Sequence, residues 1–319
     1  MKNNRTVIAI VVVSVIALAA FFACKRYFNT PPENKKTRIA FVVPVLDNPF
    51  FVDMTNAATA KARQLQNVEV IVKASTSVQD AIGQNQIVDD LITQKVDAIC
   101  LVPTSSESII PAIQKANSAS IPVINIDNKV DAQKAAAAGA IVSTYIGSDN
   151  FEGGKLAGQF VVEKLGGKGR VAILEGVSGN DAAIKRKAGF LEALKGNPGI
   201  EVVASQVANW NREQAFNIFQ NILKAHPDLN AVFACNDEMV LGASSALEQS
   251  KIPKSKIVIV GFDAIKEAVD AVNAGRIDAT IAQQPALMGE KGLDLALDIL
   301  GKKTVDKSYS TELKVIRKP

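Results

Sequence analysis

The chain has 319 residues, of which 48% are hydrophobic and only 5% aromatic, with 36 basic and 32 acidic side chains. This length accommodates two domains of ordinary size. The near balance of charge argues against a nucleic-acid-binding protein, which needs basic residues gathered on one face. Ala, Val and Ile dominate the composition, and this profile is typical of buried parallel strands covered by Ala-rich helices.

The segment 1–28 predicts export from the cytoplasm. Two basic residues precede the apolar run 7–23, which contains a single serine, Ser14, and a basic start before an apolar core is typical of a secretory signal. Cleavage after the Ala-rich stretch and retention as a membrane anchor both fit this run. A third outcome is lipidation at Cys24, because the residues before it resemble a bacterial lipoprotein box with Phe21 in place of the usual Leu. We therefore expect a periplasmic protein, or one tethered to the outer face of the cytoplasmic membrane.

After a predicted linker at 29–36, strands and helices alternate to the end of the chain. This alternation predicts right-handed βαβ units in parallel sheets. About ten strands would be unusual in one open sheet, and the pattern restarts near residue 148, so we predict two Rossmann-like parallel-sheet lobes. The predicted strands are 38–45, 68–72, 97–102, 121–126, 170–174, 201–207, 231–234, 257–260, 277–282 and 312–316, and the predicted helices are 50–66, 78–93, 107–119, 151–165, 182–194, 212–225, 239–249, 264–273 and 285–300.

Polar and aromatic side chains follow most of the predicted strands. Ligands of open parallel sheets bind beyond the carboxyl ends of the strands, so these side chains are the candidate site. Each alone could be a helix N-cap or a core residue, and Asp237 and Glu238 are expected to start a helix. Recurrence at five or six strand ends favours a ligand site. Its candidates are Asn48, Phe50, Phe51, Asp127, Asn128, Arg186, Trp210, Asn236, Phe262, Asp263 and Gln283.

This mixture of amides, carboxylates, one guanidinium and large aromatic rings suits a polyhydroxylated ring. A sugar hydroxyl both donates and accepts, and planar polar side chains satisfy it from two directions. The apolar C–H faces of the ring pack against aromatic faces. The candidate residues therefore predict a small sugar as the ligand.

The sequence shows no motif for catalysis or for cofactor binding. The only histidine, His226, lies in a His-Pro-Asp turn, and neither a dinucleotide-binding nor a phosphate-binding glycine motif is present. Cys100 and Cys235 each end an apolar run far apart in sequence, so buried free thiols are expected and not a metal site. We expect a protein that is not an enzyme and uses no cofactor or metal.

Eight segments in order resemble the ribose-type periplasmic sugar-binding proteins, whose fold is also that of the sugar-sensing cores of lactose-repressor-like regulators. A repressor would place a helix-turn-helix domain where this chain has its apolar segment and linker. The eight segments are LDNPFF (46–51), IPVINID (121–127), GSDNFEGGKLAG (147–158), KRKAGF (185–190), VASQVANW (203–210), HPDLNAVFACNDEMVLGA (226–243), VIVGFD (258–263) and ATIAQQP (279–285).

The resemblance implies a periplasmic binding protein-like I fold with two lobes joined by a three-segment hinge. The chain would cross between lobes near Ser148, Gln284 and Glu312. One lobe would hold 37–147 with 285–311, and the other 148–284 with 312–319. The resemblance also implies that Trp210 stacks opposite Phe51 with the sugar between them. Asn48, Phe50, Phe51 and Asp127 would form the first-lobe wall, and Arg186, Trp210, Asn236 and Asp263 the second, with Gln283 near a hinge.

By the same resemblance, the protein is a monomeric solute-binding component of a sugar ABC importer whose partners are a sugar and a membrane permease. An alternative is a binding protein that presents its sugar or polyol to a chemoreceptor or sensor kinase. Two positions depart from the ribose pattern: Asn128 stands in place of Arg, and Pro44 in place of a polar residue. The ligand therefore stays open among an aldohexose such as allose, a pentose and a polyol.

Overall fold

The computed structural model describes residues 36–318. The predicted signal or anchor and Cys24 lie outside the described residues. Within residues 36–318, no helix combines the length and apolar character needed to cross a membrane.

The first lobe is built on a six-stranded sheet. Its strand order is β11-β5-β4-β3-β1-β2, and the β1–β3, β3–β4, β4–β5 and β5–β11 pairs are parallel. The strands are β1 (Thr37–Val43), β2 (Val68–Ala74), β3 (Ala98–Leu101), β4 (Val123–Ile126), β5 (Thr144–Ser148) and β11 (Ser308–Thr311). The helices are α1 (Pro49–Gln64), α2 (Ala81–Thr93), α3 (Ile110–Ser118), α4 (Ala132–Ala138) and α10 (Pro285–Leu300).

The second lobe has the same plan, with the order β12-β10-β9-β8-β6-β7. Its edge strand β12 pairs antiparallel with β10, and the remaining pairs are parallel. The strands are β6 (Lys168–Glu175), β7 (Gly199–Val207), β8 (Ala231–Ala234), β9 (Val258–Asp263), β10 (Ala279–Ala282) and β12 (Lys314–Arg317). The helices are α5 (Asn150–Leu165), α6 (Asp181–Leu194), α7 (Arg212–Ala225), α8 (Asp237–Gln249) and α9 (Lys266–Asn273). The predicted α/β class with two parallel-sheet lobes is confirmed.

The chain passes between the two sheets three times: after β5, after β10, and between β11 and β12. Two hydrogen bonds join these passages to one another. The hydroxyl oxygens of Ser148 and Thr311 lie 2.9 Å apart, and the Gln284 side-chain amide donates to the carbonyl oxygen of Glu312 at 3.2 Å. The three connecting segments therefore form one bonded group at the side of the cleft.

Several element boundaries differ from those predicted. Helix α2 begins at Ala81 and not at residue 78, because the Asp80 carboxylate caps it by accepting the Gly83 N–H at 2.8 Å. Three elements, α4, β5 and β11, were not predicted from the sequence. Helix α4 is short and Ala-rich and carries no apolar periodicity, but it has a cap at each end, Asp131 and the left-handed Gly139 with φ of 71°.

Helices α5 and α6 pack unusually closely at their crossing. A Cβ atom added at Gly154 would overlap the carbonyl oxygen of Arg186, and one added at Gly189 would overlap that of Phe151. Only glycine permits backbone to meet backbone at both points. This crossing therefore fixes the position of α6, the helix that carries Arg186.

Candidate ligand-binding site

A cavity lies between the lobes, beyond the carboxyl ends of the strands of both sheets. It contains about 520 Å³ of space that no protein atom occupies, including open solvent at its mouth. Ten of the eleven sequence-predicted residues line it. The lining is Pro44, Asn48, Phe50, Phe51, Val78, Val102, Pro103, Thr104, Asp127, Asn128, Asn180, Ala182, Arg186, Trp210, Asn236, Asp263 and Gln283.

The start of α1 forms an aromatic part of the wall. Phe50 and Phe51 are buried and meet edge to face, with ring centroids 5.3 Å apart and planes at 87°. Asn48 caps the helix by accepting the Phe50 N–H on its side-chain oxygen at 2.9 Å. Pro49 occupies the first helical turn, where its missing N–H costs nothing. The cap and the proline together set the direction in which the two rings leave the backbone.

Asp127 presents an unsatisfied acceptor to the cavity. It follows β4 in a left-handed conformation with φ of 62°, and Tyr145 holds its backbone by donating to its carbonyl oxygen at 2.8 Å. The carboxylate oxygen Oδ1 is buried and has no hydrogen-bond partner among the described residues. Burial raises the pKa of Asp127 to about 6, against the opposing attraction of Arg186.

Asn128 lines the cavity, and both polar atoms of its side-chain amide also bond to protein groups. Its amide nitrogen donates to the Pro103 carbonyl oxygen at 2.9 Å. Its side-chain oxygen accepts the backbone N–H of Ala182, which belongs to the other lobe, at 3.3 Å. The residue is 3% exposed. The structure thus gives Asn128 contacts other than the ligand contact expected from the sequence.

Arg186 is the centre of the second wall. Its guanidinium is 4% exposed and donates to the Asn150 side chain at 2.8 Å, to the Cys235 carbonyl oxygen at 2.8 Å and to Asp263 at 3.3 Å. No hydrogen bond from its Nη2 to another described residue is present, so that nitrogen remains free to donate to a ligand. Three fixed contacts hold the planar group in one orientation.

Phe262 does not line the cavity, contrary to the expectation from the sequence. It is completely buried, and its ring centroid lies 3.8 Å from the central carbon of the Arg186 guanidinium. The next residue, Asp263, has left the extended strand conformation, with φ of 118°, and it lines the cavity. The aromatic face stabilises the guanidinium by a cation–π contact.

Asp263 and Gln283 form a second group of acceptors. Oδ1 of Asp263 accepts from Arg186 and, at 2.8 Å, from the Gln283 amide nitrogen. The other amide atom of Gln283, Oε1, is buried with no partner among the described residues. Burial raises the pKa of Asp263 to about 7, although Arg186 and Gln283 oppose the shift.

Trp210 and Asn236 complete the second wall. Trp210 and the preceding Asn209 both adopt left-handed backbone, with φ of 59° and 54°, and the indole packs on Gly176, where a Cβ atom would overlap the ring. Asn236 caps α8 by accepting the Met239 N–H at 2.9 Å. As predicted, Asp237 and Glu238 occupy the first turn of α8.

Sequence reasoning missed several lining residues, among them Asn180 and Ala182 at the start of α6, and Thr104 after β3. The strand-end rule applied to β3 would have found Thr104, whereas Ala182 has no polar or aromatic side chain and lies seven residues beyond the end of β6. The oxygen of Asn180 caps α6 at 3.2 Å from the Ala183 N–H. The backbone N–H of Thr104 donates to Gln84, which is fully buried.

The cavity is rich in acceptors. Two buried oxygens, on Asp127 and Gln283, lack donors, and a buried polar atom without a partner costs roughly 1–3 kcal/mol. A ligand with several O–H groups supplies such donors. Across residues 36–318, no cluster of His, Cys, Asp and Glu side chains is suited to a metal ion.

Comparison with known proteins agrees with this geometry. The family model described as "Periplasmic binding protein domain" matches residues 39–304. The chain belongs to the periplasmic binding protein family. It is 36% identical to the ribose import binding protein of Bacillus subtilis (strain 168), over 95% of this chain and 97% of the relative.

Two solved structures of periplasmic binding proteins extend the likeness. A solute-binding protein of an ABC transporter from Actinobacillus succinogenes 130z, solved with bound D-allose, is 38% identical, with a TM-score of 0.84 over 88% of this chain and 98% of the other. The fructose-binding periplasmic domain of a hybrid two-component system is 28% identical, with a TM-score of 0.81 over 88% and 90% of the two chains.

The two lobes of this periplasmic binding protein are in direct contact around the cavity. The Gln79 amide, after β2, donates to Asn209, after β7, at 3.2 Å. The start of α6 donates to two side chains of the first lobe, Ser106 and Asn128, each at 3.3 Å. These bonds join the rims of the cleft, and the structure is that of a closed form.

Proposed function

We propose that this protein captures a monosaccharide, ribose-like or allose-like, between its lobes and delivers it to the permease of an ABC importer. The single observation that carries the proposal is the pair of buried acceptors without donors, Asp127 Oδ1 and Gln283 Oε1. They lie in a cavity that also has aromatic rings on its wall. A sugar supplies hydroxyl donors and an apolar ring face in one small molecule.

Binding proceeds by hinge closure in this proposal. Asp127 belongs to the lobe of β4, and Arg186 and Asp263 belong to the lobe of β6 and β9. A sugar that touches both walls has more contacts in the closed form than in the open form, and this differential affinity shifts the population toward closure. The permease then recognises the closed surface.

The sugar leaves the site chemically unchanged in this proposal. The residues that line the cavity include no histidine, cysteine, serine or lysine. Of the two carboxylates on the wall, Asp263 accepts a hydrogen bond from Arg186 and Asp127 is attracted by the same guanidinium without contacting it, an arrangement that suits hydrogen bonding to hydroxyl groups. The structure therefore supports binding and release.

Presentation of the sugar to a chemoreceptor or sensor kinase is the second candidate function. The similarity to the fructose-binding domain of a hybrid two-component system favours it.

We also propose that the protein is exported and works outside the cytoplasmic membrane. Segment 1–28 would then be cleaved, lipidated at Cys24 or retained as an anchor.

A thermal-shift screen of pentoses, hexoses and polyols tests the proposal. A ligand that binds only the folded state raises the melting temperature. The sequence contains a single tryptophan, and it lines the cavity, so intrinsic fluorescence reports binding of each hit directly. We expect at least one sugar to bind with a raised melting temperature, a changed Trp210 emission and a smaller radius of gyration in X-ray scattering. Compactness that stays the same under saturation would contradict hinge closure.

The variant Asp263→Ala should weaken binding of that sugar at least tenfold, because Arg186 and Gln283 then lose their shared acceptor. Asp270→Ala on the exposed part of α9 is the matched control, since its carboxylate bonds only Lys266 among the described residues. Full affinity in Asp263→Ala would remove that residue from the site.

A further inference from the structure

The first turn of α6 is capped from the opposite lobe. The first N–H groups of a helix have no partner within the helix and need acceptors elsewhere. Asn180, from the same lobe, accepts the Ala183 N–H. The two preceding N–H groups donate across the cleft, Asp181 to the Ser106 hydroxyl and Ala182 to the Asn128 side-chain oxygen, each at 3.3 Å.

Both acceptors are held in place by their own lobe. The Asn128 amide is oriented by its bond to the Pro103 carbonyl at 2.9 Å. The Ser106 backbone is tied down because its carbonyl accepts the Asp131 N–H at 2.9 Å. Ser106 is 7% exposed and Asn128 is 3% exposed. The acceptors are therefore preorganised, and closure brings the helix to them.

The hydrogen bonds across the cleft to α6 lie close to Arg186, the charged residue at the centre of the second wall. Ala182 precedes Arg186 by four residues, which is about one helical turn. Ala182 and Arg186 both line the cavity. The first lobe therefore caps the helical turn that directly precedes Arg186. Opening of the cleft would break both bonds and leave the two N–H groups to water.

We propose that Asn128 and Ser106 are positioning residues that stabilise the closed form by capping α6 across the cleft, without contacting the sugar themselves. This inference rests on the proposed function, since it assumes a sugar that is retained by closure. It assigns Asn128 a role in retention of any ligand and not in the choice among ligands.

The test compares Asn128→Ala, Ser106→Ala and the double variant with the unmodified protein. Ser105→Ala is the matched control, because within residues 36–318 the Ser105 hydroxyl bonds only to Ser108 and Glu107 of its own lobe. Dissociation constants and dissociation rates are measured by Trp210 fluorescence for every sugar that the unmodified protein binds. Ligand-free melting temperatures check that each variant is folded.

We expect each single variant to weaken all bound sugars by the same factor, roughly three- to tenfold for one hydrogen bond. The change should appear as faster dissociation, and Ser105→Ala should have no effect. The Ser106→Ala variant keeps the test valid if Asn128→Ala fails to fold, since Ser106 contributes to α6 through a single hydroxyl.

Two results would overturn the inference while the proposed function stands. One is unchanged dissociation in both single variants. The other is a changed order of sugar affinities in Asn128→Ala, which would mean that Asn128 contacts the ligand. If the unmodified protein bound no sugar in the panel, the proposed function would fail, and this inference with it.

Discussion

The two walls of the cleft are built in different ways although the two sheets share one plan. The first wall has two aromatic rings at the start of α1 and one unsatisfied carboxylate, Asp127. The second wall has a network in which Arg186 joins Asp263, Asn150 and the backbone of Cys235. Aromatic contact tolerates small shifts in position, whereas hydrogen bonds depend on distance and angle. We propose that the first wall contributes mainly contact area, with Asp127 as an acceptor, and that the second wall contributes most of the selection among hydroxyl arrangements.

Both walls depend on close packing of two helices at a glycine. The second wall is fixed by the glycine crossing of α5 and α6, where two backbones touch. The first lobe has one such point, Gly289 on α10, where an added Cβ atom would overlap the carbonyl oxygen of Met54 on α1. Each wall therefore has a glycine whose substitution displaces the helix that carries it.

Removal of the central cation should have the largest effect. The variant Arg186→Ala leaves Asp263 and Asp127 buried without a compensating charge, and loss of one partner from a buried ion pair costs roughly 3–5 kcal/mol. Calorimetry should show sugar affinity lower by more than about a hundredfold, with a lower melting temperature. Lys185→Ala, at the exposed neighbouring position, is the control. An Arg186→Ala variant within tenfold of the unmodified affinity would disprove the central role of the second wall.

A pair of glycine variants tests the difference between the walls. Gly154→Ala and Gly289→Ala each force a methyl group against a carbonyl oxygen, and overpacking of this kind costs about 1–3 kcal/mol. Chemical denaturation should show similar losses of stability in the two variants. Sugar affinity should fall about tenfold further in Gly154→Ala, because α6 carries the angle-dependent contacts of Arg186. Equal losses of affinity would show that both walls are equally sensitive to displacement.

Loss of one aromatic ring should have a moderate effect. Phe51→Leu keeps an apolar side chain but removes the ring face, and aromatic contacts contribute about 0.5–1.5 kcal/mol beyond the buried area. Fluorescence titration should show affinity reduced roughly three- to tenfold, by a similar factor for each sugar bound. Phe151→Leu, at a position 37% exposed and outside the cavity, provides the control. A changed order of affinities in Phe51→Leu would assign selection to the first wall as well.

The smallest effect is a dependence of stability on pH. Burial raises the pKa of Asp127 to about 6 and of Asp263 to about 7 in the closed, ligand-free cleft. A carboxyl group whose folded pKa is raised stabilises the fold most below its unfolded value and loses that contribution as pH rises through the folded pKa. Low pH therefore favours closure of the ligand-free cleft, and because this stabilises the folded protein as a whole, scanning calorimetry without sugar should give a higher melting temperature at pH 5 than at pH 8.

The pH experiment has an internal control. Hydrogen bonds lower the pKa values of Asp80, Asp228 and Glu267, so these groups stay ionised between pH 5 and 8 and contribute no change. Asp263→Asn removes one of the titrating groups and should reduce the difference between the two pH values. A melting temperature that falls between pH 8 and pH 5 would contradict the assignment of raised pKa values to the cleft.

Much of the fold was predictable because the hydrophobic pattern changes period at each element. The repeated change from strand to helix indicated parallel βαβ units, and the restart near residue 148 indicated a second sheet. Elements that lack such a pattern were missed. Helix α4 has seven residues and mostly alanine, and β11 has four residues at a sheet edge. Elements this short are stabilised by caps and by neighbouring strands, which a local pattern does not contain.

The candidate site was predictable at the level of the strand ends. Asp127, Asn236 and Asp263 each follow or end a strand, and parallel strands bring their carboxyl ends to one edge. The direction in which each side chain points at that edge was harder to predict from the sequence. Phe262 was expected in the cavity, but its ring packs on the Arg186 guanidinium and does not line the cavity.

The sequence by itself determined the class of fold, the order of the elements and the chemical character of the cavity wall, since each depends on local periodicity and on residues at strand ends. The tertiary structure alone decided which polar atoms are occupied. Asn128 bonds to Pro103, 25 residues away, and to Ala182, 54 residues away in the other lobe. Asp127 Oδ1 and Gln283 Oε1 have no such partner. Hydrogen bonds act over about 3 Å in space irrespective of separation along the chain, so only the folded, closed arrangement distinguishes a residue that holds the lobes together from one that faces the ligand.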